Sequence, residues 1–340
     1  MCGLRLSLYL ENALSEGVEK DMNVKRFIKS LGSRDASKIL LMRYFDRFRR
    51  NAFNNGKCIN EKQYEACITR LYHTVEKGLA YENYRAGFGK DNIMTLISTM
   101  EEYSKIYGCD AEFYRTAIDV LQQYVRKNLI YDFHNEEIEN RIAQLPGKSN
   151  EKGGVIEFVP WTEEKLQHTN YKDFVLNRHS IRHFSDETVM VDEIEKAFEL
   201  AQHTPSACNR QGWKTYIVQD KATIAEVLKY QNGNRGFGQE IDKLLLITAD
   251  LCYFNKDREL FQAYIDGGMY AMSMLNALHY YRLGTIPLSA ALTIEQENAV
   301  RKIMRISDSE VFILYIGVGK YPATCQTTRS ERHAPYYELR

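Results

Sequence analysis

The chain lacks an excess of charge: 45 Lys and Arg balance 45 Asp and Glu across 340 residues. With no global field to draw polyanions or an anionic membrane, neither nucleic acid nor membrane insertion is expected. Paired cysteines of the C-x-x-C kind are missing too. The seven cysteines (Cys2, Cys58, Cys67, Cys109, Cys208, Cys252 and Cys325) are odd in number and widely spaced. That pattern argues against a disulfide framework or a zinc ribbon, and no metal site is expected. No run of eighteen apolar residues occurs, so no membrane-spanning helix is expected. Met1 to Leu10 is mildly apolar, but Arg5 interrupts it and Glu11 follows; no signal peptide and a cytoplasmic location are expected. Nucleotide-binding loops are absent in their usual forms. Gly89-Lys90 runs into Asp91, and position 84 is tyrosine, which breaks the Walker pattern. Gly317-Val318-Gly319-Lys320 has no third glycine and opens no helix, which removes a dinucleotide fingerprint.

What is present suits a folded, two-part protein. Hydrophobic residues make up 44%, and 23 tyrosines with 15 phenylalanines supply apolar area for a core. Residues 1–150 read as a helical N-terminal domain. Phe113, Ala117, Leu121, Tyr124 and Val125 recur at helical spacing between Asp110 and Leu129, and segments near 19–31, 36–53, 61–77 and 91–106 follow the same rule. Within it, His73 and Glu76 share a helix face three residues apart, without a nearby third ligand; Gly78 reads as a helix end. Pro146 to Gly154 is polar and glycine-rich and reads as a linker. Residues 165–340 then read as a mixed domain. Helices are expected over Tyr171–Asn177, Val191–His203, Arg258–Leu283 and Glu295–Ile306; strands over Lys214–Gln219, Leu244–Thr248 and Val311–Gly317.

Two clusters carry the chemistry. Arg178-His179-Ser180-Ile181-Arg182 places two guanidinium groups and a hydroxyl within five residues, a compact way to hold a phosphate through forked, charge-assisted hydrogen bonds. After one helix comes Pro205-Ser206-Ala207-Cys208-Asn209-Arg210-Gln211-Gly212-Trp213, a polar loop that ends in an aromatic residue and starts a strand. Together these resemble the FMN-dependent nitroreductases, whose pattern is Arg-x-Ser-Ile-Arg-x-Phe and then Pro-Ser-x-x-Asn-x-Gln-Pro-Trp. Gly212 stands where that family usually has proline, which loosens the loop. A weaker likeness links the patch from His73 to Leu79, and Arg85 to Lys90, to nitroreductase-like proteins associated with polysaccharide biosynthesis.

The resemblance implies an α+β fold, a nitroreductase-type α/β/α domain with a mixed, mainly antiparallel sheet, preceded by an all-α region. It implies FMN as cofactor, NAD(P)H as electron donor and a homodimer with the flavin in a cleft between subunits. Arg178, Ser180 and Arg182 would bind phosphate and ribityl groups, with Arg329 or Arg332 helping. Pro205, Ser206, Ala207 and Asn209 would line the ring from the partner subunit, and the loop at Pro287, Leu288 and Ser289 would offer a backbone contact near N5. No catalytic side chain is expected, because the chemistry belongs to flavin N5; hydride would enter and leave there in ping-pong fashion. The acceptor is a small molecule that the sequence does not name. Two other functions share these features: a different flavin-domain reaction, such as reductive dehalogenation or flavin fragmentation, and a non-catalytic dimer that binds a partner in a surface-polysaccharide pathway. Cys208 is expected to be a small packing residue. In the long helix, Gly267-Gly268 would cost roughly 1–2 kcal/mol of helix stability, so a close neighbour is expected at that face.

Overall fold

The structure is a computed structural model; it describes residues 58–254 and 259–340, besides Lys38, Leu41 and Met42. Helices expected near 19–31 and over most of 36–53 lie outside the described residues, as does the proposed start of the long helix at Arg258. The elements below belong to one compact unit, residues 53–253 with 262–340.

The first part is helical: α1 (Glu61–Leu79), α2 (Lys90–Tyr107), α3 (Glu112–Ile130) and α4 (Glu136–Gln144). Asn60 starts α1 by accepting the Gln63 N–H at 3.0 Å, and Asn135 does the same for Ile138 at 3.2 Å; each side chain satisfies a donor that the first turn leaves open. Ile68, Leu71, Tyr72, Val75 and Leu79 recur along one face of α1 and are buried against α2 and α3. Gly78 does not end α1. A Cβ there would lie 2.1 Å from the Phe88 ring, so the glycine makes room for an aromatic, and the helix runs on to Leu79.

The second part layers helices on both faces of an antiparallel sheet. Its strands are β2 (Trp213–Val218), β3 (Lys243–Asp250), β4 (Leu283–Ser289) and β5 (Glu310–Lys320), in the order β2-β3-β5-β4. All three neighbouring pairs are antiparallel; a single parallel bridge joins Ser180 to Thr285. The helices are α5 (Glu163–His168), α6 (Tyr171–Asn177), α7 (Val191–Ala201), α8 (Lys221–Leu228), α9 (Gln262–Tyr280) and α10 (Ile294–Met304). Side chains alternate across a strand, and β3 shows what that does to a continuous apolar run. Leu244 and Leu246 join Ile224, Val227 and Val300 from α8 and α10. Leu245 and Ile247 join Ile194, Ala197, Met274 and Leu278 from α7 and α9. All four β3 side chains are fully buried, each worth about 1.5–3 kcal/mol relative to exposure. The fold is therefore α+β, an α/β/α arrangement with a helical region before it.

A second, two-stranded sheet was not foreseen. β1 (Val155–Phe158) pairs antiparallel with β6 (Cys325–Thr328). The segment just before β1 is tied to the helices: the Asp119 carboxylate accepts the Lys152 N–H at 2.8 Å, and Glu76 accepts the Gly154 N–H at 3.0 Å.

Several local expectations are corrected. The stretch from Gly284 to Ser289 is an edge strand and not a loop; an edge tolerates Pro287 because no ladder bond is demanded of its missing N–H. The helix before it ends at Tyr280, short of the expected Leu283, and Arg282, with φ of 57°, makes a left-handed exit. Gly317 and Gly319 lie inside β5, where a Cβ would meet Ile241 at 2.7 Å and Phe184 at 2.5 Å respectively. Only one of the paired glycines in α9 meets a neighbour. A Cβ on Gly267 would lie 2.6 Å from Ile313, whereas Gly268 faces open space.

Candidate functional site

The Arg178–Phe184 segment leaves α6 and is held along its whole length. Ile181 donates its N–H to the Thr285 carbonyl of β4 at 2.9 Å. The Ser180 carbonyl accepts the Thr327 hydroxyl of β6 at 3.1 Å. Phe184 is buried over Gly284 and Gly319, and its N–H donates to the Glu240 carboxylate at 3.1 Å. His183 sits between two carboxylates, with Nδ1 2.8 Å from Glu240 and 3.0 Å from Glu82. The backbone path is thus fixed, and the two arginines with it.

Both guanidinium groups are incompletely satisfied, Arg182 buried and Arg178 half-buried. Arg182 is only 6% exposed, and its Nε and Nη1 have no hydrogen-bond partner; Nη1 of Arg178 is likewise orphaned. A buried ionic group without partners costs several kcal/mol. Burial draws both arginines below their ordinary range; at Arg178 the charge of Arg332 adds to it. They remain charged, since a guanidinium does not deprotonate in a protein. The effect extends to neighbours. Burial, then Arg178 and Arg332, lowers His179. His279, buried with Nδ1 3.3 Å from the Tyr321 hydroxyl, is brought down to about 4 by burial, then by Arg178 and His179. At Arg182, Tyr81 and then the Glu76 carboxylate act against the effect of burial.

The tail separates its two arginines. Arg329 donates from Nη1 to the Glu151 carbonyl at 2.6 Å, and its N–H bonds the Gly154 carbonyl at 3.1 Å. Arg332 donates to the Ser330 carbonyl at 2.7 Å, is exposed, and puts its charge on Arg178 and His179.

The Pro205–Trp213 loop is anchored elsewhere, on α9. Buried Asp266 accepts the Ala207 N–H at 3.2 Å and the Gln262 side chain at 2.7 Å. Ser206 Oγ accepts the Gln211 N–H at 2.9 Å, and the Gln211 amide donates to the Asn209 carbonyl at 3.0 Å. Trp213 stacks on Tyr270 with ring centres 4.8 Å apart. Cys208, Asn209 and Gln211 adopt φ of 53°, 56° and 52°, the left-handed region that L residues avoid unless the surroundings impose it. Gly212 is not among the positive-φ residues, so the glycine at the family's proline position does not adopt a left-handed conformation. Cys208 is exposed, contrary to the packing role expected of it. Leu288 is buried in the core, Pro287 is half-buried, and Ser289 is exposed, its carbonyl accepting the Gln231 amide at 3.1 Å and its Oγ the Ala291 N–H at 3.1 Å.

Residues 175–320 match the model of the nitroreductase family. They form a nitroreductase-family domain. It is similar over 151 residues, at 26% identity, to an Archaeoglobus fulgidus protein with the provisional name NADH dehydrogenase/NAD(P)H nitroreductase; the match covers 44% of this chain and 83% of that one. A Streptococcus pyogenes protein, provisionally an NAD(P)H nitroreductase, is 41% identical over 56 residues, 16% of this chain and 28% of its own length. Among solved structures, a provisional nitroreductase from Desulfovibrio desulfuricans in complex with FMN aligns at 18% identity and a TM-score of 0.40, covering 45% of this chain and 87% of that chain. The Parabacteroides distasonis structure, provisionally an NADH dehydrogenase/NAD(P)H nitroreductase, aligns at 20% identity and a TM-score of 0.41, covering 50% and 92%.

Among the described residues, no group of three or more His, Cys, Asp and Glu could hold a metal, and no helix is long and apolar enough to cross a membrane. The Glu76 carboxylate, read with His73 as half of a metal pair, is instead shared between the Gly154 N–H and His73 Nδ1 at 3.0 and 3.1 Å. Sequence reasoning missed Glu82 and Glu240, which hold His183. Nothing in local spacing signals them, since each reaches the motif across the fold.

Proposed function

We propose that the chain is an FMN-dependent NAD(P)H oxidoreductase acting on a small-molecule acceptor. The observation that carries this is a pair of guanidinium groups with unmet donors, buried Arg182 and half-buried Arg178, inside a nitroreductase-family domain. Orphaned buried cations fit an anionic cofactor, because charge-assisted bonds to it would offset their desolvation. Arg178 and Arg332 would hold the phosphate, Ser180 and Arg182 the remainder of the near side, and Arg329 is engaged structurally with Glu151. When bound, FMN supplies hydride chemistry at N5, accepting from NAD(P)H and giving to the acceptor. What the chain contributes is position and potential: β4 offers backbone at Pro287 to Ser289, and the buried cations set the field around the ring.

A homodimer belongs to the same proposal. α9 leaves Tyr264, Ile265, Met269 and Met272 exposed beside the open face of Gly268, an apolar stripe suited to a second copy. The partner's Pro205–Asn209 loop would then line the ring. The deciding experiment is to purify the protein, release its flavin by denaturation and identify it, then measure steady-state NAD(P)H oxidation. FMN at one per chain, a mass near twice 39.6 kDa by light scattering, and parallel double-reciprocal lines are expected. Colourless protein that does not take up FMN would overturn the proposal, and intersecting lines would overturn the shared site.

A further inference from the structure

We propose that Glu240, acting through His183 and Phe184, is the positioning residue that sets where Arg182 stands in the flavin site, and that Glu82 of the helical half completes its support. The inference rests on the FMN reading above and brings to that site a residue from outside the 175–320 domain.

One carboxylate oxygen makes both contacts. Oε2 of Glu240 accepts the Phe184 N–H at 3.1 Å and lies 2.8 Å from His183 Nδ1. The same ring nitrogen lies 3.0 Å from Oε2 of Glu82. Two carboxylates converging on one ring nitrogen require a hydrogen there, and this fixes the orientation of the imidazole. Arg182 is therefore bracketed. On its N-terminal side, Ile181 donates to the Thr285 carbonyl at 2.9 Å. On its C-terminal side, His183 and Phe184 are tied to Glu240, and Ser185 donates to the Lys320 carbonyl at 3.0 Å.

Glu240 is itself held from several sides. It closes the short turn Gly238–Glu240, and its N–H donates to the Phe237 carbonyl at 2.9 Å. The next residue, Ile241, is fully buried over Gly317 of β5. Asp242 then donates its N–H to the Val318 carbonyl at 3.0 Å and accepts the Val189 N–H at 2.9 Å. The helical half meets this frame just after α1. Tyr81 donates its hydroxyl to the Arg235 carbonyl at 2.6 Å, its ring lies 6.4 Å from Phe237, and Glu82 follows directly.

A carboxylate that only closed a loop would account for the Phe184 bond. It would not account for a second carboxylate, from residue 82, on the same imidazole, next in sequence to a guanidinium whose Nε and Nη1 are left open. No hydrogen bond at those two atoms locates the Arg182 head, so its place is inherited from the backbone on either side. Forked bonds to an anion demand placement within about 0.5 Å, which supporting hydrogen bonds supply. Glu82 is exposed, and an exposed ion pair adds little to folding by itself. Its contribution should therefore be read in ligand affinity and not in stability.

The test uses the full chain. FMN dissociation constants, from quenching of flavin fluorescence, and unfolding midpoints of the flavin-free protein are measured side by side. Glu240→Ala should weaken FMN roughly tenfold or more, as misplaced contacts do. Glu240→Gln keeps an acceptor for the Phe184 N–H and should recover affinity to within about threefold. Glu82→Gln should weaken FMN about threefold, and should add nothing further once His183→Gln is present. The deciding readout is a cycle with Arg182→Lys. An ammonium is a point charge that needs less careful aim than a planar fork. The loss from Glu240→Ala should therefore shrink to about threefold or less in that background, whereas a merely structural role would give the same factor in both. Unchanged FMN affinity in Glu240→Ala, or equal factors in the two backgrounds, overturns the inference while FMN binding by wild type stands. An unmoved affinity in Glu82→Gln overturns the part assigned to the helical half. Failure of wild type to bind FMN overturns the functional proposal itself. Should Glu240→Ala fail to fold, Glu240→Ser enters the same cycle.

Discussion

Glu76 and Arg182 are both charged, both almost wholly buried, and lie on opposite halves of the chain. Their surroundings differ in one respect. Glu76 has a partner for each oxygen, the Gly154 N–H and His73 Nδ1. Arg182 has two buried nitrogens with none. A buried ion whose partners are supplied by the fold is part of the structure. One whose partners are withheld destabilises the fold unless something arrives from outside, and it persists because that something matters. The contrast repeats nearby. Asp119 accepts the N–H groups of Lys152 and Gly153 at 2.8 and 3.3 Å, while Arg178 leaves Nη1 open.

The largest effect should come from reversing the sign of the open cation. Arg182→Glu is expected to abolish FMN retention: losing a charge-assisted contact costs roughly 1.5–3 kcal/mol, and the added like charge costs more. Arg182→Leu should also lose FMN, yet leave the flavin-free protein about as stable as wild type, because two unpartnered buried donors are replaced by an apolar group. The converse holds for Glu76→Ala. It strands the Gly154 N–H and opens a cavity, so unfolding free energy should fall by about 3 kcal/mol. Urea titrations of the flavin-free variants measure both. Equal losses from Arg182→Leu and Glu76→Ala would erase the distinction.

A pH titration sharpens the same contrast at a smaller scale. His279 is buried, with Nε2 unpartnered, and burial followed by Arg178 and His179 brings it to about 4. Its unfolded value is about 6.5. Between these limits the unfolded chain binds a proton that the folded chain refuses, so stability is complete above about pH 6.5 and is lost as pH falls toward 4. Linkage puts the loss from this one residue at about 2 kcal/mol between pH 7 and pH 5. His279→Gln should flatten the slope of stability over that interval. An unaltered slope would mean that the histidine is free to protonate in place, and that the positive field around Arg178 is weaker than its burial implies.

What the sequence disclosed divides along similar lines. Periodic segments were legible: α1, α2 and α3 bury the residues that recur at helical spacing, and the unbroken apolar run of β3 is buried on both faces. The Arg178–Phe184 motif was legible as a local pattern, whereas the groups that hold it, Thr285, Thr327 and Glu240, come from far along the chain. β4 was not, since Gly284, Pro287 and Ser289 all weaken a strand signal, and only pairing with β5 makes it a strand. Gly317 and Gly319 looked like a broken nucleotide loop; their reason, space for Ile241 and Phe184, exists only once the sheet is assembled.

The smallest expected effects test the paired glycines of α9, and here the two neighbours should differ in sign. Gly267→Ala places a Cβ 2.6 Å from Ile313 on β5. Overpacking of that kind costs about 1–3 kcal/mol, against a gain of about 0.8–1.0 kcal/mol from better helix propensity, so a net loss near 1 kcal/mol is expected. It should be independent of protein concentration, because the clash is within one chain. Gly268→Ala meets no atom within 4 Å and should keep the propensity gain within the isolated chain. A larger residue at the same place acts on the neighbour and not on the fold: Gly268→Leu should shift light scattering toward the 39.6 kDa single-chain mass while secondary structure stays intact. Flavin should be lost together with the dimer if the partner's loop lines the ring. Equal destabilisation at 267 and 268, or a dimer unmoved by Gly268→Leu, would show that the open face of α9 is not where two copies meet.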